Sequence, residues 1–420
     1  MESCDSACEG IEDSDTGFMV MATTFVMLQT PALGLCQAGL IRRKNALSML
    51  MQVLTGFVIG SMLWFSIGFS LVFGPSAGAL GLIGTLRHVG FAGLSTECCY
   101  PLATTIPSYL FASFQMMFAV MTPVIVTGAW AERMDFNAFL VFAAAWPFLV
   151  YYPLAHWVWN PAGWLAVHGA VDFAGGITIH TATGTAALAV SLVLQGRSKD
   201  TGEHSEQAGG RHNIPLAVLG GVLIWGGWYS FNGGSAYKAN GQTALAVLNT
   251  HMAACASSCA WLALAFARDR HWHLTEIMNG AFAGLAAVTP GSGFMSPRAA
   301  CLVGLAGGCV SYGWCAHIKP RLGIDDALDV CALQGMPGIV GSLAVGLVAA
   351  PPYAPHVGLL HGGGGALLSA QAVALACAVS WAFGWTWLLM HVMRRTVGID
   401  TTVDEEEQGL DIVQIGEQAY

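Results

Sequence analysis

An imidazole and a carboxylate stand inside a run of sequence otherwise suited to lipid. The stretch "DFAGGITIHTATGTAALAVSLVLQG" (172–196) opens on Asp172, carries His180 eight residues later and Gly184 four beyond that. The same spacing returns at 326–338, where Asp326 precedes Gln334 by eight residues and Gly338 follows by four. Along a helix eight residues rise about 12 Å and turn the side chain by roughly 80°. Each carboxylate therefore belongs near a membrane boundary, out of direct reach of the polar residue near mid-depth. A polar or ionisable side chain at that depth is costly, ordinarily faces a cavity or the bundle interior, and marks a pathway. The plainer reading is a histidine hydrogen-bonded in a core, and the paired placement favours the pathway. His180 can exchange a proton near neutral pH, whereas Gln334 donates and accepts hydrogen bonds without titrating.

The elements that must carry these residues are membrane helices. Of 420 residues 10% are charged and 55% apolar, and the charges fall in clusters. Stretches without Asp, Glu, Lys or Arg cover 16–41, 45–86, 98–131, 136–171, 173–196, 212–237, 239–267, 277–297, 299–318 and 330–393. Each supplies the roughly 20 residues a span needs. The last is divided by Pro351, Pro352 and "HGGGG" into two, so the fold class is an all-α polytopic membrane protein of eleven transmembrane helices. Alternate loops place Arg42, Arg43, Lys44, Arg133, Arg197, Lys199, Arg211, Arg268, Arg270, Lys319, Arg321, Arg394 and Arg395 on one face. Only Arg87, Lys238 and Arg298 fall on the other, which predicts an outer amino terminus and a cytosolic tail. On this topology the helices with Asp172 and Asp326 run in opposite directions. That is the pattern of a 5+5 inverted repeat plus one extra helix. The predicted organisation is an extracellular segment over 1–16, a membrane domain over 17–395 and a cytosolic tail over 396–420.

Several motifs, in order along nearly the whole chain, resemble the ammonium transporters of the Amt/Mep/Rh group. They are "AGLIRRKN" (38–45), "GAWAERMDF" (128–136), "DFAGG" followed by His180, "FNGGSA" (231–236), "VTPGSG" (288–293), and a tail reading "EEEQGLD" then "GEQAY". The resemblance implies the ammonium-transporter fold, a homotrimer and a narrow pore in each subunit. By the same resemblance Trp159 and Ser235 recruit ammonium at an outer vestibule, Phe118 and Phe231 close the pore below as stacked rings, and His180 and Gln334 line the lumen. Asp172 implies structural support beneath the recruitment site; Asp326 and Asp329 imply fixed helix ends near the inner mouth. For isolated phenylalanines or a lone serine, bundle packing would be the ordinary reading, and the motif context decides otherwise. The physics agrees: a Trp face attracts an ammonium ion by roughly 0.5–2 kcal/mol, and a hydroxyl accepts its hydrogen bond.

The chain departs from that pattern twice. Gln334 stands where the family places a second pore histidine, and Gln37 in "GLCQAGL" stands where many members carry an aromatic. His251 in "NTHMAAC" has a similar predicted depth to His180; it is a candidate replacement, set against a histidine bonded to a neighbouring helix. The leading expectation is an ammonium/ammonia transporter or channel serving nitrogen uptake, with methylammonium as analogue. The competing one is an ammonium sensor of low flux because of Gln334. An enzyme is not expected, since there is no metal-ligand spacing, nucleophile elbow or phosphate loop, and no cofactor is implied. The acidic ends "MESCDSACEGIEDSD" and "VDEEEQGLD" account for much of the net charge of −9 and give no nucleic-acid inference. A cleaved signal peptide is not expected before the first span, since a basic region, short apolar core and cleavage site are not read at the amino terminus. The expected setting is the plasma membrane, in contact with lipid, with a cytosolic regulator at the tail. Cys4, Cys8, Cys98 and Cys99 share the outer face, where a disulfide among them is compatible with the compartment.

Overall fold

The computed structural model describes residues 8–194 and 211–419. The loop basic residues Arg197 and Lys199, and Cys4, lie outside the described residues. Among those described, ten helices are long and apolar enough to span a bilayer: α1 (Asp13–Leu40), α2 (Arg43–Phe73), α3 (Ser108–Trp130), α4 (Phe136–Val167), α5 (Gly176–Val193), α6 (Ile214–Gly234), α7 (Gly241–Asp269), α9 (Pro297–Leu322), α10 (Cys331–Val348) and α11 (Ala366–Thr396). The eleventh, α8 (Leu274–Val288), is shorter and is continued by the turn Thr289–Gly291. The charge-free criterion began this span at 277. The helix begins three residues earlier because Glu276 lies in its first turn, where the Trp261 indole N–H donates to the carboxylate.

Helices α3 and α5 are enclosed almost all round. Outer helices bury one side and leave the other exposed, as with Val20, Met21, Phe25 and Leu28 on α1 or Met51, Leu54, Val58 and Met62 on α2. The two halves correspond. Helices α4 and α9 each contain a π turn, at Pro147–Tyr151 and Trp314–Ile318; α5 and α10 each begin with one, at Gly176–Thr181 and Cys331–Gly335. Small residues bring counterparts together. A side chain on Gly39 of α1 would strike the backbone of Asn213 and Ala217 at the start of α6, and one on Gly220 would strike Cys36. Close backbone approach of this kind is how helices associate where lipid is as apolar as the helices themselves.

On the amino-terminal face, Cys8 and Cys99 form a disulfide that ties the start of the chain to the α2–α3 loop. The Asp15 carboxylate accepts from the Thr105 hydroxyl at 2.6 Å and the Ala239 N–H at 2.9 Å, joining α1 to two further loops. On the opposite face, "RRKN", "AWAERM" and the tail meet in one network. Glu132 Oε1 accepts from the Arg42 N–H, the Arg42 guanidinium and the Asn45 amide. Arg133 donates to Asp325 and to the Ala129 carbonyl. The tail follows α11 with the short α12 (Val403–Gln408), then Asp411 accepts from the Leu47 and Ser48 N–H groups near the start of α2.

Candidate functional site

Helix α5 starts with four backbone N–H groups that have no helical acceptor, and Asp172 takes all of them. Its Oδ1 accepts from Gly175 at 2.9 Å and Gly176 at 2.7 Å; its Oδ2 accepts from Ile177 at 2.9 Å and Thr178 at 3.1 Å, and from the Thr178 hydroxyl. The turn requires Gly175 at φ +117°, in the region that disfavours a side chain. The Asp172 carbonyl in turn accepts the Trp159 indole N–H at 2.9 Å. One residue thereby fixes both the start of α5 and the indole plane of Trp159.

From Trp159 a column of rings leads inward. Phe118 meets Trp159 edge-on at 6.1 Å between centroids, and lies 4.3 Å from Phe231 with the planes 33° apart. The Ser235 hydroxyl donates to the Phe231 carbonyl at 2.9 Å, one turn back, which leaves its oxygen lone pairs as acceptors. Phe231 is 6.1 Å from the His180 ring. There the column becomes polar: His180 Nδ1 lies 2.6 Å from Gln334 Oε1. An amide oxygen only accepts, so the bond places a proton on Nδ1 and leaves Nε2 with a lone pair. That Nε2 is buried and has no partner among the described residues.

Glycines make this meeting feasible. A Cβ on Gly184 would run into the Gly335 backbone, and one on Gly338 would stand 2.9 Å from the Cβ of His180. Each helix thus crosses its counterpart at the glycine four residues beyond its own polar residue. The π turns span His180 and Gln334 themselves, and the extra residue re-aims side chains that a regular helix would point elsewhere.

The two carboxylates near α10 behave differently from each other. Asp326 is fully buried and its Oδ2 accepts from the Cys331 N–H at 2.7 Å, while Oδ1 has no partner among the described residues. Asp329 instead receives Lys319 Nζ at 2.6 Å. Burial, and then the neighbouring Asp329 charge, push the Asp326 carboxyl up to about 6. His251 is not part of the column. Its side chain is exposed, with Nδ1 at 2.7 Å from the Tyr229 hydroxyl on α6 and Nε2 near the Cys255 thiol.

Sequence reasoning passed over two members. Trp228 stacks on His180 at 5.2 Å, 20° from parallel, and its N–H donates to Thr289. It stands three residues before Phe231, so helical spacing alone would have put it on the same side. Thr127 donates to Gln37 Oε1 at 2.9 Å, a contact between helices that no spacing in the chain announces. Among the described residues no group of three His, Cys, Asp or Glu side chains could hold a metal ion.

Comparison with known proteins agrees with this architecture. A sequence profile of the Ammonium Transporter Family matches residues 17–420. The chain is 39% identical to ammonium transporter 1 of Dictyostelium discoideum, over 97% of this chain and 88% of that protein. It is 37% identical to ammonium transporter Amt1 of Archaeoglobus fulgidus, over 98% of this chain and 100% of that protein. Among solved structures it superposes on Saccharomyces cerevisiae Mep2 with a TM-score of 0.86 and 29% identity, covering 96% of this chain and 90% of that one. A structure described as a sensor Amt protein matches with a TM-score of 0.86 and 31% identity, covering 96% and 98%. An integral membrane protein built of two inverted halves, with these relatives across its length, belongs to the ammonium transporter family.

Proposed function

We propose that the chain conducts ammonia derived from ammonium through the column that joins Trp159 to the His180–Gln334 pair. The observation that carries this reading is the pair itself: two polar side chains from counterpart helices meet beneath a stack of rings. Ammonium is drawn to the Trp159 face and hydrogen-bonds to the Ser235 oxygen. Phe118 and Phe231 then present an apolar constriction where a bare cation costs several kcal/mol. Desolvation favours the neutral amine, so the proton stays on the side of origin and ammonia crosses. Beyond the rings the His180 Nε2 lone pair can accept an ammonia N–H. Asp172 supports the site through the backbone and Trp159 without touching the ion, and Asp326 and Asp329 set the far end.

The amino-terminal face is assigned to the outside of the plasma membrane, in keeping with the basic-residue bias and with a disulfide at Cys8–Cys99. A homotrimer, with the tail open to a cytosolic regulator, completes the reading. One observation favours a second reading, an ammonium sensor with low flux: Gln334 replaces the second pore histidine, in a chain that resembles a protein described as a sensor. Uptake of labelled methylammonium, in cells without transporters of their own, separates the two. A transporter gives saturable uptake, and a sensor gives none above background.

A further inference from the structure

Two amides stand near His180 and the start of α10: Gln334 itself, and Gln37 of α1, which shares the space at Gly128 with Val330. Gln37 lies three residues before the end of α1, among the small buried residues Cys36, Ala38 and Gly39, and is only 4% exposed. A long amide turned inward costs a few kcal/mol unless its polar atoms find partners. Only its oxygen has one, the Thr127 hydroxyl, whose proton is shared with the Val124 carbonyl at 2.7 Å. Among the described residues the nitrogen has no acceptor, and it is not sealed off. Gly128 makes room for it: a Cβ there would stand 3.0 Å from Gln37 Nε2 and 2.8 Å from Val330 Cγ2. Val330 precedes Gln334 by four residues, about 6 Å along α10. Gln334 repeats the arrangement, its oxygen engaged by His180 and its nitrogen without an acceptor among the described residues.

Taking the column as the passage, we infer that Gln37 is a specificity-determining residue on its carboxy-terminal side, where it and Gln334 offer hydrogen-bond donors to neutral ammonia. With both oxygens occupied, the two amides show the passage N–H groups alone. Ammonia has a lone pair and accepts from such a donor; ammonium has none, and potassium meets only the positive end of the amide dipole. Past His180 the two amides therefore admit acceptors and disfavour cations.

The test compares the wild type with Gln37→Met, which keeps length and removes the donor, and Gln37→Glu, which exchanges donor for acceptor. Methylammonium uptake and potassium current are measured in the same cells, with surface amount determined for each variant. A lost donor of ordinary strength corresponds to about a tenfold change in rate. Gln37→Met should lower maximal uptake about tenfold at unchanged half-saturation, and Gln37→Glu should open a potassium current. Gln37→Met within twofold of the wild type overturns the inference and leaves the transport reading standing. No uptake by the wild type removes the transport reading itself. Should Gln37→Met fail to reach the surface, Gln37→Glu decides alone: a Gln37→Glu protein that takes up methylammonium at the wild-type rate and carries no potassium current overturns the inference.

Discussion

Helices α5 and α10 are counterparts in the repeat, yet the chain secures their starts by different means. Asp172 engages four backbone N–H groups and a hydroxyl, and both of its oxygens are filled. Asp326, at the matching position, has one buried oxygen without a partner among the described residues and a second carboxylate nearby, with Lys319 bonded to Asp329 and to the Asp326 carbonyl. The same sequence spacing thus gives a fixed end beside Trp159 and a proton-sensitive end on the opposite face. A shared motif sets helix position, and the surrounding donors decide how firmly.

The largest expected effect of breaking this comparison is at Asp172. Asp172→Ala leaves four buried N–H groups unpaired, and at about 1 kcal/mol or more each it should prevent recovery of a stable protein in detergent. Asp172→Asn retains one acceptor oxygen and should restore partial uptake. If Asn and Ala proteins both assemble normally and both are inactive, the charge itself is what matters. Asp326→Ala removes fewer bonds along with a like charge, so its loss should be about 1–2 kcal/mol, seen as a modest drop in thermal midpoint. Trp159→Leu should raise the half-saturating ammonium concentration about threefold to thirtyfold with little change in maximal rate, because the ring acts before the barrier. An unchanged concentration dependence would remove Trp159 from recruitment.

The smallest expected effect is the dependence of stability on pH at Asp326. Its carboxyl titrates at about 6 in the folded chain, against about 4 when unfolded. Below about pH 4 both states hold the proton. As pH rises through 6 the folded state must give it up against burial and Asp329, so this contribution to stability is lost with rising pH. The thermal midpoint of the wild type should fall between pH 5 and 7.5 more than that of Asp326→Asn. Parallel curves for the two proteins would contradict the assignment.

Much of the fold was legible because lipid imposes a simple rule on composition. Charge-free runs marked the spans, and they erred at α8, where Glu276 is tolerated inside the helix by the Trp261 N–H. The repeat was legible because Asp172, His180 and Gly184 recur as Asp326, Gln334 and Gly338. Contacts set by the packing of distant helices were not. Trp228 against His180, Thr127 against Gln37 and the docking of Asp411 on α2 each join segments whose separation in sequence carries no period. His251 shows the converse: its place along α7 was readable, but its facing was not, and the side chain is exposed and bonded to Tyr229 on α6.

The proposed passage holds one titratable group, His180, beside an amide that cannot relay its proton. Its most direct test is electrophysiology on reconstituted protein, wild type beside Gln334→His. An ammonium gradient should then produce a pH change inside wild-type vesicles with no current, and Gln334→His should add an ammonium-dependent current. A robust, ammonium-selective current from the unmodified protein would contradict the account.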